Sequence, residues 1–248
     1  MSLFKSRGVV LKSQDINEND KIIWIFTEKM GKISVIAKGA KKNRSKYLPI
    51  SINFCFGNFV FFKGKSMFSL NEGEIIDSFQ EFLSDLDTLT YTSYLCELID
   101  ISMAEGESNR DLFKEFVSTF YLIKNKVGDM ETLIRAFELK LLKYTGYDLN
   151  FDYCSKCKKR IKKASYISYR YYGGICDDCS KEGGVAVNPA VYSSLNYLNK
   201  LPIEKVYRVT LNNDIKDEVF QVLKGFIGQN YAKLPKSLDL LNIIKRSE

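Results

Sequence analysis

The feature that most constrains the fold is a set of four cysteines spaced C-x2-C-x18-C-x2-C, formed by Cys154, Cys157, Cys176 and Cys179. Two close pairs separated by about 15–20 residues are typical of a four-thiolate zinc site, because each pair fits a tight turn that directs both sulfurs at one ion. Gly173-Gly174 precedes the second pair and allows the hairpin that returns the chain. The spacing therefore predicts a compact metal-binding insert at about 151–184.

A site with four cysteine ligands has no open coordination position, so the expected Zn²⁺ is structural and not catalytic. Redox-active or disulfide-linked pairs are the alternative, which a reducing compartment disfavours. The neighbouring cations either balance the negative charge of a tetrathiolate site or contact nucleic acid; they are Lys156, Lys158, Lys159 and Arg160. Cys55 and Cys96 fall in a predicted strand and a predicted helix, and we expect both in the core.

Residues 1–79 have the pattern of a small β-barrel. Short runs rich in β-branched and aromatic residues occupy 8–13, 21–28, 32–39, 54–64 and 66–76. In the third run Ile33, Val35 and Ala37 share one face, as alternation along a strand requires. Five antiparallel strands in a segment of this length predict an OB-type barrel, which makes the chain α+β.

From about residue 80 the apolar residues recur with a helical period, which predicts a second, helical domain over 80–248 that carries the metal insert. The clearest helix follows Asp129 as its N-cap and stops at Gly146. Pro189 suits the first turn of a later helix. Two further helices are predicted at 213–230 and 236–246, and the apolar stripes are expected to form the core of a bundle.

Charge is distributed unevenly along the chain. The net charge is +7, but residues 29–71 contain nine Lys or Arg and no acid, and residues 154–181 carry a net +6. Within the first island five cations crowd one loop after the third strand: Lys38, Lys41, Lys42, Arg44 and Lys46. Unpaired lysines are rarely buried, so these side chains are expected to face outwards, unpaired, towards a phosphate backbone. Tyr47, Phe61, Phe62 and Phe68 are available to stack on bases or, alternatively, to fill the barrel core.

Several function classes are disfavoured. The sequence has no 18-residue apolar run and no secretory signal, which predicts a cytoplasmic protein without a transmembrane helix. It has no histidine, the most common general base. Gly64-Lys65-Ser66 lacks the preceding glycine and the following helix of a phosphate-binding loop. With no carboxylate cluster in the basic island, we expect a protein that is not an enzyme and has no nucleotide cofactor.

Several blocks of the sequence resemble the RecO family of bacterial recombination mediators. They are "GVVLKSQDINENDKIIWIFTEKMGKISVIAKGAKK", with its acidic turn, then "RAFELKLLKYTGYDLNFDYCSKC", "GGICDDC" and "LPKSLDLL". The resemblance spans the whole chain. It implies an OB domain, a zinc-bearing helical domain, binding to single- and double-stranded DNA, and strand annealing.

The resemblance also implies partnership with RecR and with single-strand-binding protein in loading recombinase, at the nucleoid. By position, the DNA contacts would be the five loop cations and Tyr47. Arg135, in "RAFEL", would receive the acidic tail of single-strand-binding protein on the helical domain.

Two other classes fit the same residues. An RNA-binding zinc protein of the translation apparatus would also combine a barrel, thiolate zinc and a basic loop. An adaptor that grips acidic protein tails would need only the basic islands. Competition between RNA and single-stranded DNA separates the first from a DNA mediator, and a pull-down after nuclease treatment separates the second.

Overall fold

The structure is a computed structural model that describes residues 2–65 and 67–244. The chain divides into two compact units: one runs to Phe120 and takes in the chain from Pro235 onwards, and the other is Tyr121–Leu234. The division into a barrel domain of residues 1–79 and a helical domain of residues 80–248 stays a prediction. No helix in the described ranges is long and apolar enough to cross a membrane.

The first unit contains a closed five-stranded barrel, which confirms the OB-type prediction. Its strands are β1 (Leu3–Asp15), β2 (Lys21–Thr27), β3 (Gly31–Ala37), β4 (Phe56–Lys63) and β5 (Phe68–Asp77), in the order β1-β2-β3-β5-β4. The prediction that all strands are antiparallel is wrong at one place, since β3 and β5 pair in parallel. An odd number of strands cannot alternate in direction around a closed ring, so one neighbouring pair must be parallel.

β1 begins earlier than its β-branched run indicated. Leu3–Asp15 serves two neighbours: its first half pairs with β4 and its second half with β2. Gly8 lies where the two pairings overlap, and a side chain there would collide with Ile25. In β3 the predicted alternation is confirmed, because Ile33, Val35 and Ala37 are at most 1% exposed and point into the barrel. Ser66, the predicted first residue of the fifth strand, lies outside the described residues.

Helices complete the first unit. α1 (Leu86–Ser102) is capped by Asp85, whose side chain accepts a hydrogen bond from Thr88 N. α2 (Arg110–Lys124) places Phe113 and Phe116 edge-on against Phe26 of the barrel. α6, the last helix, is Ser237–Ile244. It contacts α1, and residues 245–246 of its predicted range lie outside the described residues.

The second unit contains α3 (Met130–Tyr144), α4 (Pro189–Lys200), α5 (Asn213–Asn230) and a three-stranded sheet. The sheet comprises β6 (Tyr166–Ser168), β7 (Gly173–Gly174) and β8 (Gly184–Ala186). Asp129 caps α3 as predicted, accepting from Thr132 N, and Gly146 ends the helical region with φ +94°. Pro189 occupies the first turn of α4 behind the cap Asn188, also as predicted.

Candidate metal centre and nucleic-acid interface

The four predicted metal ligands come together in one cluster. Their sulfurs all lie within 4.8 Å of one another, and Cys157 Sγ is 3.7 Å from Cys176 Sγ. A tetrahedral site with Zn–S bonds of about 2.3 Å has S···S edges of about 3.8 Å. All four are free thiols and not disulfides. The donor set therefore fits a tetrahedral, thiolate-preferring metal ion.

Backbone turns aim the sulfurs inward. Lys158 N donates to Cys154 O, Cys154 N donates to Lys159 O, and Lys158 adopts a left-handed φ of +63°. At the second pair, Cys179 N donates to Cys176 O. Cys176 N donates to Cys154 Sγ at 3.4 Å, which joins the two turns. These contacts explain why each pair needs two intervening residues.

The thiols of the cluster cannot all ionise unaided. Burial opposes ionisation of Cys154, but the backbone N–H groups of Cys157, Cys176 and Lys156 lower its pKa to about 6. At Cys179, hydrogen bonding with Cys176 and Cys157, followed by burial, raises the pKa to about 12. One thiolate is thus stabilised while further negative charge is resisted. A cation at the centre removes that conflict, because it favours the ionised form of every ligand.

The cations beside the cluster are partly neutralised within the module. Lys156 Nζ pairs with Glu182 at 3.2 Å, and Lys159 Nζ pairs with Asp178 at 2.9 Å. Lys158 Nζ donates to the carbonyl of Ser155. These contacts favour local charge balance for Lys156 and Lys159, whereas the contact of Lys158 is with a neutral carbonyl.

The basic loop, residues 38–47, leaves the end of β3 as a series of tight turns. Ser45 N donates to Lys42 O, and Leu48 N donates to Ser45 O. All five predicted cations are exposed. No carboxylate of the described residues forms an ion pair with Lys38, Lys42, Arg44 or Lys46.

Lys41 departs from the expectation of an unpaired loop. Its Nζ lies 2.8 Å from Asp15 Oδ2, at the end of β1, so the expectation that all five charges are unpaired is wrong for this residue. The two residues are distant in sequence, and the antiparallel β1–β2–β3 arrangement brings them to the same end of the barrel. Four of the five cations therefore have no ion pair within residues 2–65 and 67–244.

Tyr47 anchors the loop and is only partly accessible. Its hydroxyl donates to Asn71 O of β5 at 2.8 Å, and its ring packs against the barrel core. Lys46 Nζ lies 5.1 Å above that ring. Of the other candidate stacking residues, Phe61 is fully buried and Phe68 packs edge-on against it. Phe61 and Phe68 therefore belong with the barrel core. One face of the Tyr47 ring is occupied by the ammonium group of Lys46.

The assignment of Arg135 to a peptide-binding surface is wrong. Arg135 is 0% exposed, donates to both carboxylate oxygens of Glu138, and lies 4.6 Å from the ring of Phe220 on α5. Its helix, α3, is buried continuously from Thr132 to Leu142. The i, i+3 spacing of Arg135 and Glu138 is the sequence signal that indicates this internal pair.

Two further sequence predictions are confirmed. Cys55 and Cys96 are buried, at 0% and 2% exposure, and burial raises the pKa of Cys55 to about 12. Lys65 lies in the connection between β4 and β5, where a strand follows and not a helix, so the stretch lacks the geometry of a phosphate-binding loop. Ser66 itself is outside the described residues.

A closed five-stranded OB barrel, followed by helices and a four-cysteine cluster, defines this chain as an α+β protein of the barrel-plus-metal-module class. Family models described as "Recombination protein O N terminal" and "Recombination protein O C terminal" match residues 1–79 and 83–239. The chain therefore belongs to the recombination protein O (RecO) family, whose general role is in DNA repair and recombination.

Relatives named DNA repair protein RecO match over nearly the whole chain. The one from Clostridium acetobutylicum is 88% identical over 245 residues, covering 99% of each chain. The one from Clostridium novyi is 52% identical over 248 residues, covering 100% of this chain and 97% of the relative. The one from Caldicellulosiruptor saccharolyticus is 28% identical over 245 residues, covering 99% and 100%.

Proposed function

We propose that this chain is a recombination mediator that binds and anneals single-stranded DNA without catalysing a chemical step. The observation that carries the proposal is the basic loop on a closed OB barrel, where four exposed cations form no ion pair with any residue that the structure describes. OB barrels hold single strands with a positive groove for the backbone and aromatic faces for bases. Family membership adds DNA repair as the biological setting.

Annealing requires charge neutralisation and no reactive group. Two single strands repel through their phosphates, and cations that bind phosphates reduce this repulsion while base edges stay free to pair. Lys38, Lys42, Arg44 and Lys46 are long, exposed side chains without an ion pair among the described residues, suited to phosphate contact. Tyr47, held by Asn71, is proposed to support the loop and to offer the free part of its ring to a base.

The proposed ion in the four-cysteine cluster is Zn²⁺ in a structural role. All-sulfur donors favour Zn²⁺ among the common divalent ions of tetrahedral geometry, and four protein ligands leave no position for substrate. When bound, the ion would supply cross-linking between the two cysteine turns. Cys154, Cys157, Cys176 and Cys179 would hold it.

The proposed partners follow from family membership. They are double-stranded DNA, RecR, and the acidic tail of single-strand-binding protein, with recombinase loading on coated strands as the outcome. The proposed place of action is the cytoplasm, at the nucleoid. With Arg135 buried, the receiving site for the acidic tail has to be sought on other residues.

Fluorescence anisotropy with a labelled single-stranded oligonucleotide, measured across a salt series, tests the DNA interface. Five phosphate contacts would give a log–log slope of about −3.5, and four about −2.8. Replacing Lys42, Arg44 and Lys46 by Glu is expected to abolish binding and annealing while the circular dichroism spectrum stays unchanged. A matched control replaces the exposed Lys205, Lys233 and Lys236 by Glu, which changes the net charge equally.

Two outcomes would contradict the proposal. A slope near zero, or equal losses in the loop variant and the control variant, would remove the loop as the DNA interface. In a competition experiment, tighter binding of RNA than of single-stranded DNA of equal length would redirect the function to RNA.

A further inference from the structure

The acidic turn between β1 and β2, residues 15–20, is fastened to the start of the basic loop. Asn17 Oδ1 accepts from Asn19 N and Asp20 N, which closes the turn on itself. Asp20 Oδ1 then accepts from Gly39 N at 2.6 Å, just after β3 ends. Gly39 has a left-handed φ of +69°, so this hydrogen bond fixes the residue at which the chain changes direction into the loop.

Lys41 is held by the same turn through three contacts. Its backbone N donates to Asn19 O at 3.0 Å, and its Nζ donates to Asn17 O at 3.3 Å. The same Nζ pairs with Asp15 Oδ2 at 2.8 Å, while Asp15 Oδ1 lies at the longer distance of 3.8 Å from Nζ of Lys21, whose side chain is only 16% exposed. Backbone and side chain of Lys41 are thus both directed at the turn, whereas Lys38 and Lys42 interact with it through the attraction of their charges to Asp20, which helps to lower the pKa of that carboxyl after its hydrogen bonds with Gly39 and Asn17.

The turn contains an internal comparison. Glu18 is exposed and forms no ion pair with a described residue, although it lies three positions from Asp15. If general negative charge weakens DNA binding, both carboxylates should therefore contribute to the effect. If a specific ion pair weakens DNA binding, only Asp15 should contribute.

We propose that the acidic turn sets how many loop cations reach DNA: Asp15 withholds Lys41 from phosphate, and Asp20 positions the loop. This inference rests on the proposed DNA-binding function. It identifies Asp15 and Asp20 as positioning residues of an interface that they do not themselves form. In the wild type, DNA is therefore contacted by four loop cations and not five.

The salt dependence of single-strand binding measures the number of contacts. The wild-type slope is expected near −2.8, and Asp15→Asn should steepen it to about −3.5 by releasing Lys41. At 0.1 M salt, one added contact tightens binding about fivefold. Lys41→Gln should leave the wild-type slope unchanged and alter affinity no more than the one-unit charge change of Glu18→Gln does, whereas Lys42→Gln should make the slope shallower by about 0.7 and weaken binding about fivefold.

Two controls separate pairing from general charge. Glu18→Gln makes the same charge change as Asp15→Asn and should have a smaller effect on affinity. The Asp15→Asn effect should shrink to the size of the Glu18→Gln effect when Lys41 is already Gln. Persistence of the full effect in that double variant, or equal effects of Lys41→Gln and Lys42→Gln, would overturn the role of Asp15 while leaving the DNA interface in place. Failure of Lys42→Gln and the triple reversal together would instead contradict the proposed function.

Asp20 is tested by two substitutions of the same residue. Asp20→Asn keeps an oxygen that accepts from Gly39 N, whereas Asp20→Ala removes it. The Ala variant is expected to bind DNA more weakly than the Asn variant, with faster amide exchange confined to residues 38–47. Equal affinity of the two variants would overturn the positioning role of Asp20.

Discussion

Removal of the metal ion is expected to unfold the cysteine insert and leave the barrel intact. The apolar cluster around the site has three buried members, Cys154, Ile175 and Cys176, two of which are ligands. Phe151, Ile167 and Ile175 of the insert are at most 2% exposed, and burial of each contributes about 1.5–3 kcal/mol, so together about 4.5–9 kcal/mol. Structural Zn²⁺ binding in small zinc peptides contributes about 10–16 kcal/mol, so the proposed ion is expected to contribute more to the stability of this insert than its apolar packing does.

Cys157→Ser is the informative substitution, because Cys157 is exposed and its replacement leaves no cavity in the core. Native mass spectrometry is expected to show one Zn²⁺ per wild-type chain and none in the variant. Mutation of a group that only hydrogen-bonds to a metal ligand typically weakens metal affinity about 10–100-fold. Loss of Cys157, a direct ligand, should weaken it by more than that. Hydrogen exchange should rise across about 151–184, in the variant and in the wild type treated with a chelator.

The matched control is Cys157→His, in which a histidine nitrogen replaces the sulfur as the fourth ligand. This variant should bind Zn²⁺ and regain the protection of the insert against amide hydrogen exchange. Amide exchange in β1–β5 serves as the internal reference, since it should stay constant throughout. Unchanged protection of the insert after complete metal removal would refute the argument that the ion outweighs the small apolar cluster. Equal protection in the Ser and His variants would also refute it.

Two further predictions concern single side chains. Burial opposes ionisation of Asp129, but Lys216 Nζ at 2.7 Å and Thr132 donate to it and hold its pKa below the ordinary value. Because its pKa is lower folded than unfolded, its contribution to stability is present above about pH 4 and is lost as the pH falls through the folded pKa. Asp129→Asn, which keeps the helix cap, should lower the free energy of unfolding by about 1 kcal/mol at pH 7 in urea titrations; a difference that persists at pH 2 would contradict the charge argument. Tyr47→Phe removes the hydrogen bond to Asn71 O and keeps the ring. It should therefore lower the free energy of unfolding by about 0.5–1.5 kcal/mol and leave the salt dependence of DNA binding unchanged. A changed salt dependence would show that this hydrogen bond also determines how many loop cations contact DNA.

Local patterns predicted those parts of the protein that depend on neighbouring residues. The alternation of Ile33, Val35 and Ala37 predicted the face of β3 that points into the barrel, since side chains alternate along any strand. Asp129 and Asn188-Pro189 follow rules of helix ends that act within one turn. The cysteine spacing predicted the metal cluster because each pair acts through its own short turn.

Features that depend on distant residues needed the tertiary structure. The family resemblance implied an accessible Arg135 that receives an acidic tail, but α4, α5 and the turn at Ile203–Arg208 contact the same helix and bury it. The count of loop cations was likewise a local observation. It could not reveal that Lys41 pairs with Asp15 across the barrel end.

The sequence by itself thus determined the kinds of elements, the four cysteines that form the cluster and the position of the basic loop. Only the tertiary structure decided which charges remain available. Secondary structure and short turns depend on interactions between residues close in the chain, which a sequence displays directly. The partner of a charged side chain depends on which strands and helices meet in space. Here the tertiary structure pairs Lys41 with Asp15 and buries Arg135.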